Sequence, residues 1–223
     1  MAIIGYLIVA LFGYLLGSIP TGYLVGLTRG VDIRTVGSKN MGATNVFRTL
    51  GKGPGIFVLL MDALKGFAAV SLVTHCHPAC SQALPHLFPP TADAQWQNHF
   101  NPSLAAGIAA VLGHNYTCWL KFKGGKGIAT TGGVFLALAP AAVGIAAVCW
   151  FLALLATRYV SIASIVAAIT LPCGVWLTRD NMALRVIVIA LGVLAIYKHR
   201  ANLARLRAGT ENRFNFKSAK PPK

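Results

Sequence analysis

The sequence predicts an all-α integral membrane protein with seven transmembrane or partly re-entrant helices. Of its 223 residues, 56% are hydrophobic and only 11% are charged, and the mean hydropathy is +0.64. Apolar stretches near the ~20 residues that a helix needs to cross a bilayer recur along the chain. Because these stretches are continuously apolar and do not alternate with polar residues, they favour helices over the strands of a membrane barrel.

The apolar stretches, in chain order, are 3–27, 53–75, 102–120, 128–157, 159–178 and 183–198. The first lacks a basic n-region and continues past Pro20, which indicates a retained helix and not a cleaved signal peptide. The fourth contains Pro140, a residue that interrupts helices, so we expect two short helices there, tilted or partly re-entrant. The proline-rich segment 75–101 predicts an irregular loop.

The distribution of charge predicts the topology. The formal net charge is +15, which is also typical of nucleic-acid-binding proteins. Here, however, Lys and Arg concentrate between apolar stretches, in 29–52, in 121–126 and from Lys198 onward, whereas 76–101 contains none. By the positive-inside rule the three basic regions are cytoplasmic and 76–101 lies outside, so no nucleic-acid partner is expected.

An even number of crossings must then separate 121–126 from the cytoplasmic C-terminus. The split at Pro140 satisfies this condition and places the N-terminus outside. We expect residues 1–211 to form a single multi-helix membrane domain and residues 212–223 to form a basic, disordered cytoplasmic tail. Cys76 and Cys80 fall in the predicted outer loop, where a local disulfide is one of two alternatives, the other being free thiols.

A polar segment with an unusual density of hydrogen-bond donors follows the first apolar stretch. Its members are Arg34, Ser38, Asn40, Thr44, Asn45 and Arg48. Arginine offers a planar fork of donors for phosphate or carboxylate, and the uncharged side chains offer donors for hydroxyls and phosphate oxygens. The segment predicts an anion-binding loop, and the alternative is a solvated basic loop that only sets topology.

A second basic run, rich in glycine, precedes the stretch that begins near residue 128. It consists of Lys123, Gly124, Gly125, Lys126 and Gly127. Glycines allow consecutive backbone N–H groups to approach an anion, so the run predicts a phosphate loop that opens a helix. It lacks the spacing of nucleotide P-loops and has no acidic magnesium-binding partner, so neither ATP hydrolysis nor a metal or other cofactor is predicted.

Ionisable residues also lie within or at the ends of apolar stretches. Asp62 and Lys65 are one helical turn apart, so they either neutralise each other or serve a site, Asp62 by orienting a cation and Lys65 by reaching an anionic substrate. His114 and His199 both fall at the predicted cytoplasmic face, where each is a helix-end partner or a functional group. Ser164, like Ser161, either packs helices or contacts substrate.

Taken in order, these motifs resemble the bacterial acyl-phosphate:glycerol-3-phosphate acyltransferase family. The resemblance covers Gly17-Ser18-Ile19-Pro20-Thr21-Gly22, Gly37-Ser38-x-Asn40-x-Gly42-Ala43-Thr44-Asn45-Val46-x-Arg48, Asp62-x-x-Lys65-Gly66, Gly113-His114-Asn115, Phe122-Lys123-Gly124-Gly125-Lys126-Gly127-x-Ala129-Thr130 and His199-Arg200-x-Asn202. Tyr116 and Met61 depart from the pattern, since tryptophan and leucine are frequent there.

The resemblance implies transfer of a fatty acyl group from acyl phosphate to the sn-1 hydroxyl of glycerol 3-phosphate, giving lysophosphatidic acid and phosphate without acyl-CoA or acyl carrier protein. It implies a multi-pass protein of the bacterial cytoplasmic (inner) membrane whose site faces the cytoplasm. The implied acyl-phosphate site is Lys123, Gly124, Gly125, Lys126 and Gly127. The implied glycerol-3-phosphate site is Ser38, Asn40, Asn45, Arg48, Lys126, Ser164, His199 and Asn202. The implied catalytic residues are Ser38, His114, Lys126 and His199.

Two questions stay open at this point. The proton acceptor is either a phosphate oxygen of a substrate or a loop histidine. An organophosphate or anion transporter is the alternative function, and it predicts a site near the bilayer midplane within an internal repeat. The sequence shows no repeat, and its polar motifs concentrate at one face.

Overall fold

The computed structural model describes residues 2–87 and 101–215, and within these ranges the regular structure is entirely helical. The helices are α1 (Ala2–Ser18), α2 (Thr21–Leu27), α3 (Ala43–Leu50), α4 (Lys52–Ala83), α5 (Pro102–Asn115), a short 3-10 turn (Cys118–Leu120), α6 (Ile128–Leu138), α7 (Pro140–Thr157), α8 (Val160–Thr178), α9 (Met182–Lys198) and α10 (Arg200–Arg207).

Four helical segments in the described ranges are long and apolar enough to cross a membrane: Ile3–Leu27, Lys52–Ala83, Pro140–Thr157 and Val160–Thr178. A fifth is obtained if α9 and α10, which meet at an angle of 49°, form one bent span. The fold class is therefore an α-helical membrane protein. The count of seven spans and the orientation of the termini stay predictions.

The break within the fourth apolar stretch is confirmed. Ala139 separates α6 from α7, and Pro140 occupies the first turn of α7. Proline is tolerated in a first helical turn because the N–H that it lacks would have no partner there. The resulting α6, Ile128–Leu138, is too short to span a bilayer by itself.

The helices pack in pairs around a shared core. Helix α1 packs on α5, α4 packs on α6, and α7 packs on α8, while the amphipathic α3 lies on α4. Core residues from α4 to α9 form one buried cluster that includes Val134, Phe135 and Val188. Many large apolar side chains instead point outward, as expected of a surface that meets lipid.

Helix α4 corrects one prediction. The prolines at and beyond Pro78 predict an irregular loop from residue 75, but α4 continues through Pro78 to Ala83. Side chains on both sides of Pro78, among them Val73 and Cys80, pack against Val9 and Ala105. This packing holds the helix even though Pro78 removes one backbone hydrogen bond. The remainder of the predicted loop, residues 88–100, lies outside the described residues.

The two cysteines of this region lie on one face of α4 as free thiols and are not bonded to each other. Residues 212–215, at the start of the predicted tail, make defined contacts. The Phe214 ring lies 5.1 Å from the Phe47 ring, and the Phe214 N–H donates to the Arg158 carbonyl at 2.6 Å. The segment thus connects α3 to the turn between α7 and α8. The rest of the predicted tail, residues 216–223, lies outside the described residues.

Candidate active site

A polar cavity of about 140 Å³ lies where the two basic sequence runs meet the C-terminal helix pair. Its lining contains eight residues assigned to binding of glycerol 3-phosphate: Ser38, Asn40, Asn45, Arg48, Lys126, Ser164, His199 and Asn202. Gly127 and His114 also line it. These residues are up to 164 positions apart in the chain. The fold therefore brings together motifs that are distant in the sequence.

Two helix N-termini face this cavity. Gly42 precedes α3 and Gly127 precedes α6, and neither helix has a side-chain cap on its first-turn N–H groups. Gly127 has a φ of +83°, a left-handed conformation that favours glycine. Uncapped N–H groups and the positive end of the helix dipole together favour a bound anion. A helix begins after Gly127, as predicted; that this loop binds phosphate stays a prediction.

A chain of charged and polar side chains closes one side of the cavity. Lys126 Nζ donates to Asn202 Oδ1 at 2.6 Å, and Asn202 Nδ2 donates to Glu211 Oε1 at 2.7 Å. Arg205 Nε donates to the other carboxylate oxygen of Glu211, also at 2.7 Å. The Glu211 side chain is only 2% exposed, so these partners replace the water that an ionised carboxylate would otherwise need.

Burial sets the charge state of this network. Burial disfavours the charged form of Lys126 and lowers its pKa to about 8, and nearby Arg205 and Arg48 act in the same direction although Glu211 opposes them. Burial also works against ionisation of Glu211, but hydrogen bonds from Asn202 and Arg205 outweigh it, so its pKa is lowered. The cavity therefore holds an ionised carboxylate and a lysine that titrates near neutral pH.

Arg48 reaches the same cavity from α3. Its Nη2 donates to the Asn212 carbonyl at 2.9 Å, whereas its Nε is buried without a hydrogen-bond partner. Burial lowers the pKa of Arg48, although an arginine stays protonated. A partly buried cation whose buried Nε is an unused donor is a group that a bound anion would satisfy.

Asn45 and Asn40 shape the loop before α3. Asn45 Oδ1 accepts from the Ser38 N–H at 2.8 Å, and its Nδ2 donates to the carbonyls of Ile33 and Val36. Asn40 Oδ1 accepts from the Gly42 N–H at 2.8 Å. The Asn45 amide uses both of its donors and its oxygen in hydrogen bonds to the backbone. Asn45 therefore holds Ser38 in position at the cavity.

A buried ionic cluster lies beneath the cavity wall. Lys65 Nζ is 2.8 Å from Asp62 Oδ1 and donates to the Ile19 carbonyl at 2.9 Å. His114 Nδ1 lies 3.6 Å from the same Asp62 oxygen. Asp62 and His114 line the cavity but Lys65 does not, so Lys65 neutralises Asp62 and supports α2 at its start. This is the mutual neutralisation that the one-turn spacing suggested.

The glycine run wraps around the end of α5 instead of lying wholly in the cavity. The Gly125 N–H donates to the His114 carbonyl at 2.9 Å. A Cβ at Gly124 would collide with the His114 carbonyl oxygen, and one at Gly125 would collide with the His114 ring. Lys123 and Gly124 line a separate cleft with Asp32, Arg34 and Lys39. Of the predicted acyl-phosphate residues, the structure therefore places only Lys126 and Gly127 at the cavity.

His199 lies at the bend between α9 and α10. Its Nδ1 is 2.8 Å from the Ala195 carbonyl, which only accepts hydrogen bonds, so Nδ1 carries the proton. Nε2 is then the ring atom that remains for a ligand. His199 is buried at the cavity wall, as are Ser161 and Ser164 of α8.

An apolar groove of about 230 Å³ continues from the cavity into the helix bundle. Leu59, Ile128 and Trp150 line both the cavity and the groove. Beyond them the groove is lined mainly by small and aliphatic residues of α6, α7, α8 and α9. A polar, cationic cavity that opens directly into an apolar groove suits an amphiphilic ligand with an anionic head.

Sequence reasoning did not identify the residues of this junction. An isolated Trp150 or Leu59 within an apolar stretch carries no local signal of function.

In the described part of the chain, no group of three or more His, Cys, Asp or Glu side chains is arranged to hold a metal ion.

Comparison with known proteins extends these findings. A family model described as "Glycerol-3-phosphate acyltransferase" matches residues 7–209. A protein of that description from Geotalea daltonii is 45% identical over 201 residues, which are 90% of this chain and 93% of that protein. One from Synechococcus sp. (strain JA-2-3B'a(2-13)) is 44% identical over 218 residues, covering 97% of this chain and 98% of that protein.

Solved structures agree with the sequence comparison. The crystal structure of PlsY (YgiH), described as an integral membrane glycerol 3-phosphate acyltransferase in its glycerol 3-phosphate form, is 38% identical with a TM-score of 0.79, covering 94% of this chain and 96% of that one. The lysophosphatidic acid form of PlsY gives 37% identity and a TM-score of 0.77, over 94% of this chain and 95% of that one. The chain therefore belongs to the glycerol-3-phosphate acyltransferase family of integral membrane acyltransferases.

Proposed function

We propose that this acyltransferase moves a fatty acyl group from an acyl phosphate to the sn-1 hydroxyl of glycerol 3-phosphate, giving lysophosphatidic acid and inorganic phosphate. The reaction takes place at the cytoplasmic face of a bacterial inner membrane. The observation that carries the proposal is the cationic cavity with two uncapped helix N-termini, joined at Trp150 to an apolar groove. The cationic cavity matches the phosphate groups of the substrates, and the apolar groove matches the acyl chain.

The number of anion-binding elements supports acyl phosphate as donor. Arg48 and the α3 N-terminus line the cavity from one part of the chain, and Lys126 and the α6 N-terminus line it from another. Two phosphates, one on each substrate, would match these two sets of groups.

The chemical step needs alignment and charge stabilisation but no covalent acyl-enzyme. The sn-1 hydroxyl oxygen attacks the acyl carbonyl carbon, an ester C–O bond forms, and the bond from that carbon to the bridging phosphate oxygen breaks. Lys126 and the α6 N-terminus stabilise the departing phosphate. His199 Nε2, which carries no proton, accepts the proton of the attacking hydroxyl and passes it to an oxygen of the leaving phosphate, because Asp62 and Glu211 are both engaged with cations.

The test is an assay of the purified protein in detergent with palmitoyl phosphate, measuring phosphate release and formation of 1-palmitoyl-glycerol 3-phosphate. We expect phosphate release to depend on glycerol 3-phosphate, one ester to form for each phosphate released, and palmitoyl-CoA to give no product. Ester formation from palmitoyl-CoA alone would overturn acyl phosphate as donor. Movement of labelled glycerol 3-phosphate into liposomes without ester formation would support the transporter instead.

The lowered pKa of Lys126 predicts how the reaction depends on pH. With a pKa of about 8, Lys126 is an ammonium below pH 8 and loses its charge above it. The substrate phosphate is a dianion above about pH 6, so attraction is strongest between these values. We expect kcat/KM for palmitoyl phosphate, the substrate whose phosphate Lys126 stabilises, to fall about tenfold per pH unit above pH 8, since kcat/KM reports the free enzyme. A profile that stays flat to pH 9.5 would contradict this role of Lys126.

A further inference from the structure

Helix α6 contains two adjacent glycines, Gly132 and Gly133, that differ in their surroundings. A Cβ at Gly133 would collide with the Ala63 carbonyl oxygen of α4, so the close approach of α4 and α6 explains that glycine. A Cβ at Gly132 would meet no heavy atom within 4 Å, and its φ does not lie in the left-handed region. Neither packing nor backbone conformation therefore requires glycine at position 132.

A glycine without such a reason is a cost to the helix. In a helix interior glycine is less favourable than alanine, because a glycine loses more conformational freedom when the chain folds. Gly132 lines the apolar groove. Gly192 lines it as well, but a Cβ there would lie 2.6 Å from the Ala168 carbonyl oxygen, so helix packing accounts for Gly192. The remaining physical reason for glycine at position 132 is the space that the absence of a side chain leaves in the groove.

The position of Gly132 along the groove indicates which part of an acyl chain it would meet. Ile128 lies at the junction of cavity and groove, and Gly132 follows it by four residues, or about 6 Å along the helix axis. An extended chain advances about 1.25 Å per carbon, given bonds of ~1.5 Å at near-tetrahedral angles. A chain whose carboxyl carbon lies at the junction therefore passes Gly132 at about its sixth carbon.

We propose that Gly132 is a specificity-determining residue, which keeps the groove open to acyl chains longer than about five carbons. The inference rests on the proposed function and adds to it the residue that admits long-chain donors. Acyl groups that end before Gly132 do not use this space. The groove beyond Gly132 is lined by apolar residues such as Leu171 and Val188, so the additional chain buries apolar surface there.

The experiment compares Gly132→Leu and Gly132→Ala with Gly144→Leu. Gly144 is the matched control, because it also lies within an apolar helix with nothing within 4 Å of an added Cβ, yet it does not line the groove. Each variant is assayed with palmitoyl phosphate and with butyryl phosphate. We expect Gly132→Leu to lower the palmitoyl-to-butyryl ratio of kcat/KM at least tenfold and Gly132→Ala to lower it two- to threefold. Gly144→Leu should leave the ratio within twofold of the original protein.

A binding measurement separates this inference from the proposed donor. Thermal stabilisation of each variant is measured with 1-palmitoyl lysophosphatidic acid and with glycerol 3-phosphate alone. Loss of stabilisation by the lipid, but not by glycerol 3-phosphate, in Gly132→Leu supports the inference even if no acyl phosphate is turned over. A Gly132→Leu protein that matches Gly144→Leu in both assays overturns it. If Gly132→Leu does not fold, Gly132→Ala tests the inference instead, through the palmitoyl-to-butyryl ratio of kcat/KM and the thermal stabilisation by lysophosphatidic acid.

Discussion

Replacement of Lys126 by methionine is expected to lower kcat/KM for glycerol 3-phosphate by about 100- to 1,000-fold, the loss typical of removing one donor to a developing anion. Methionine retains much of the length and volume of lysine but has no ammonium group. Lys126 Nζ lies 2.6 Å from Asn202 Oδ1 at the cavity wall, where little water is available to replace the lost charge. The measurement is steady-state kinetics with palmitoyl phosphate in detergent.

Lys121→Met is the matched control, because Lys121 belongs to the same loop but is exposed and does not line the cavity. Exposed substitutions away from special features change free energies by about 0.5 kcal/mol or less, so we expect at most a two- to threefold change. Equal losses in Lys121→Met and Lys126→Met would show that the loop acts through its overall charge. That result would remove Lys126 from the proposed mechanism.

Replacement of Glu211 by glutamine is expected to destabilise the fold by about 3 kcal/mol, the lower range for breaking a buried ion pair. The carboxylate accepts from Asn202 Nδ2 through one oxygen and from Arg205 Nε through the other. Glutamine has one oxygen and one NH₂ group, so one of these donors would face another donor. For a chain of this size we expect the melting temperature to fall by about 6 to 12 °C.

Asp180→Asn supplies the comparison for Glu211→Gln. It is the same acid-to-amide change in a residue that also pairs with an arginine, Arg185, but the Asp180 side chain is 97% exposed. Exposed ion pairs contribute at most about 1 kcal/mol, so its melting temperature should stay near that of the unaltered protein. If the two variants melted at the same temperature, the buried network would not hold the C-terminal segment in place.

Local sequence signals predicted the elements that begin or end at special residues. Pro140 marked the division between α6 and α7, Gly127 marked the start of α6, and His114-Asn115 marked the end of α5. Proline in a first helical turn and glycine in a left-handed conformation have preferences strong enough to act without distant partners. All eight residues assigned to glycerol 3-phosphate line the cavity, but only Lys126 belongs to one of these helix ends, so the meeting of the other motifs depends on the tertiary fold.

Features that depend on distant contacts were less predictable. Helix α4 passes Pro78 because α1 and α5 pack on both sides of it, and no property of residues 75–83 shows this packing. Gly124 and Gly125 have the composition of a phosphate loop, but the nearest partner of that backbone is His114. The apolar groove could not be predicted from the sequence, since its residues have the same composition as the rest of a membrane helix.

The Arg48 guanidinium and the Asn212 carbonyl are joined across a separation of 164 residues. A ribosome makes the chain from the N-terminus, so the first half of the cavity enters the membrane long before its second half is synthesised. His199, Asn202 and Glu211 are made well after Ser38 and Arg48, and a chain that stops before them lacks one wall of the cavity. The site is therefore completed only when both parts of the chain have been synthesised and have met in the membrane.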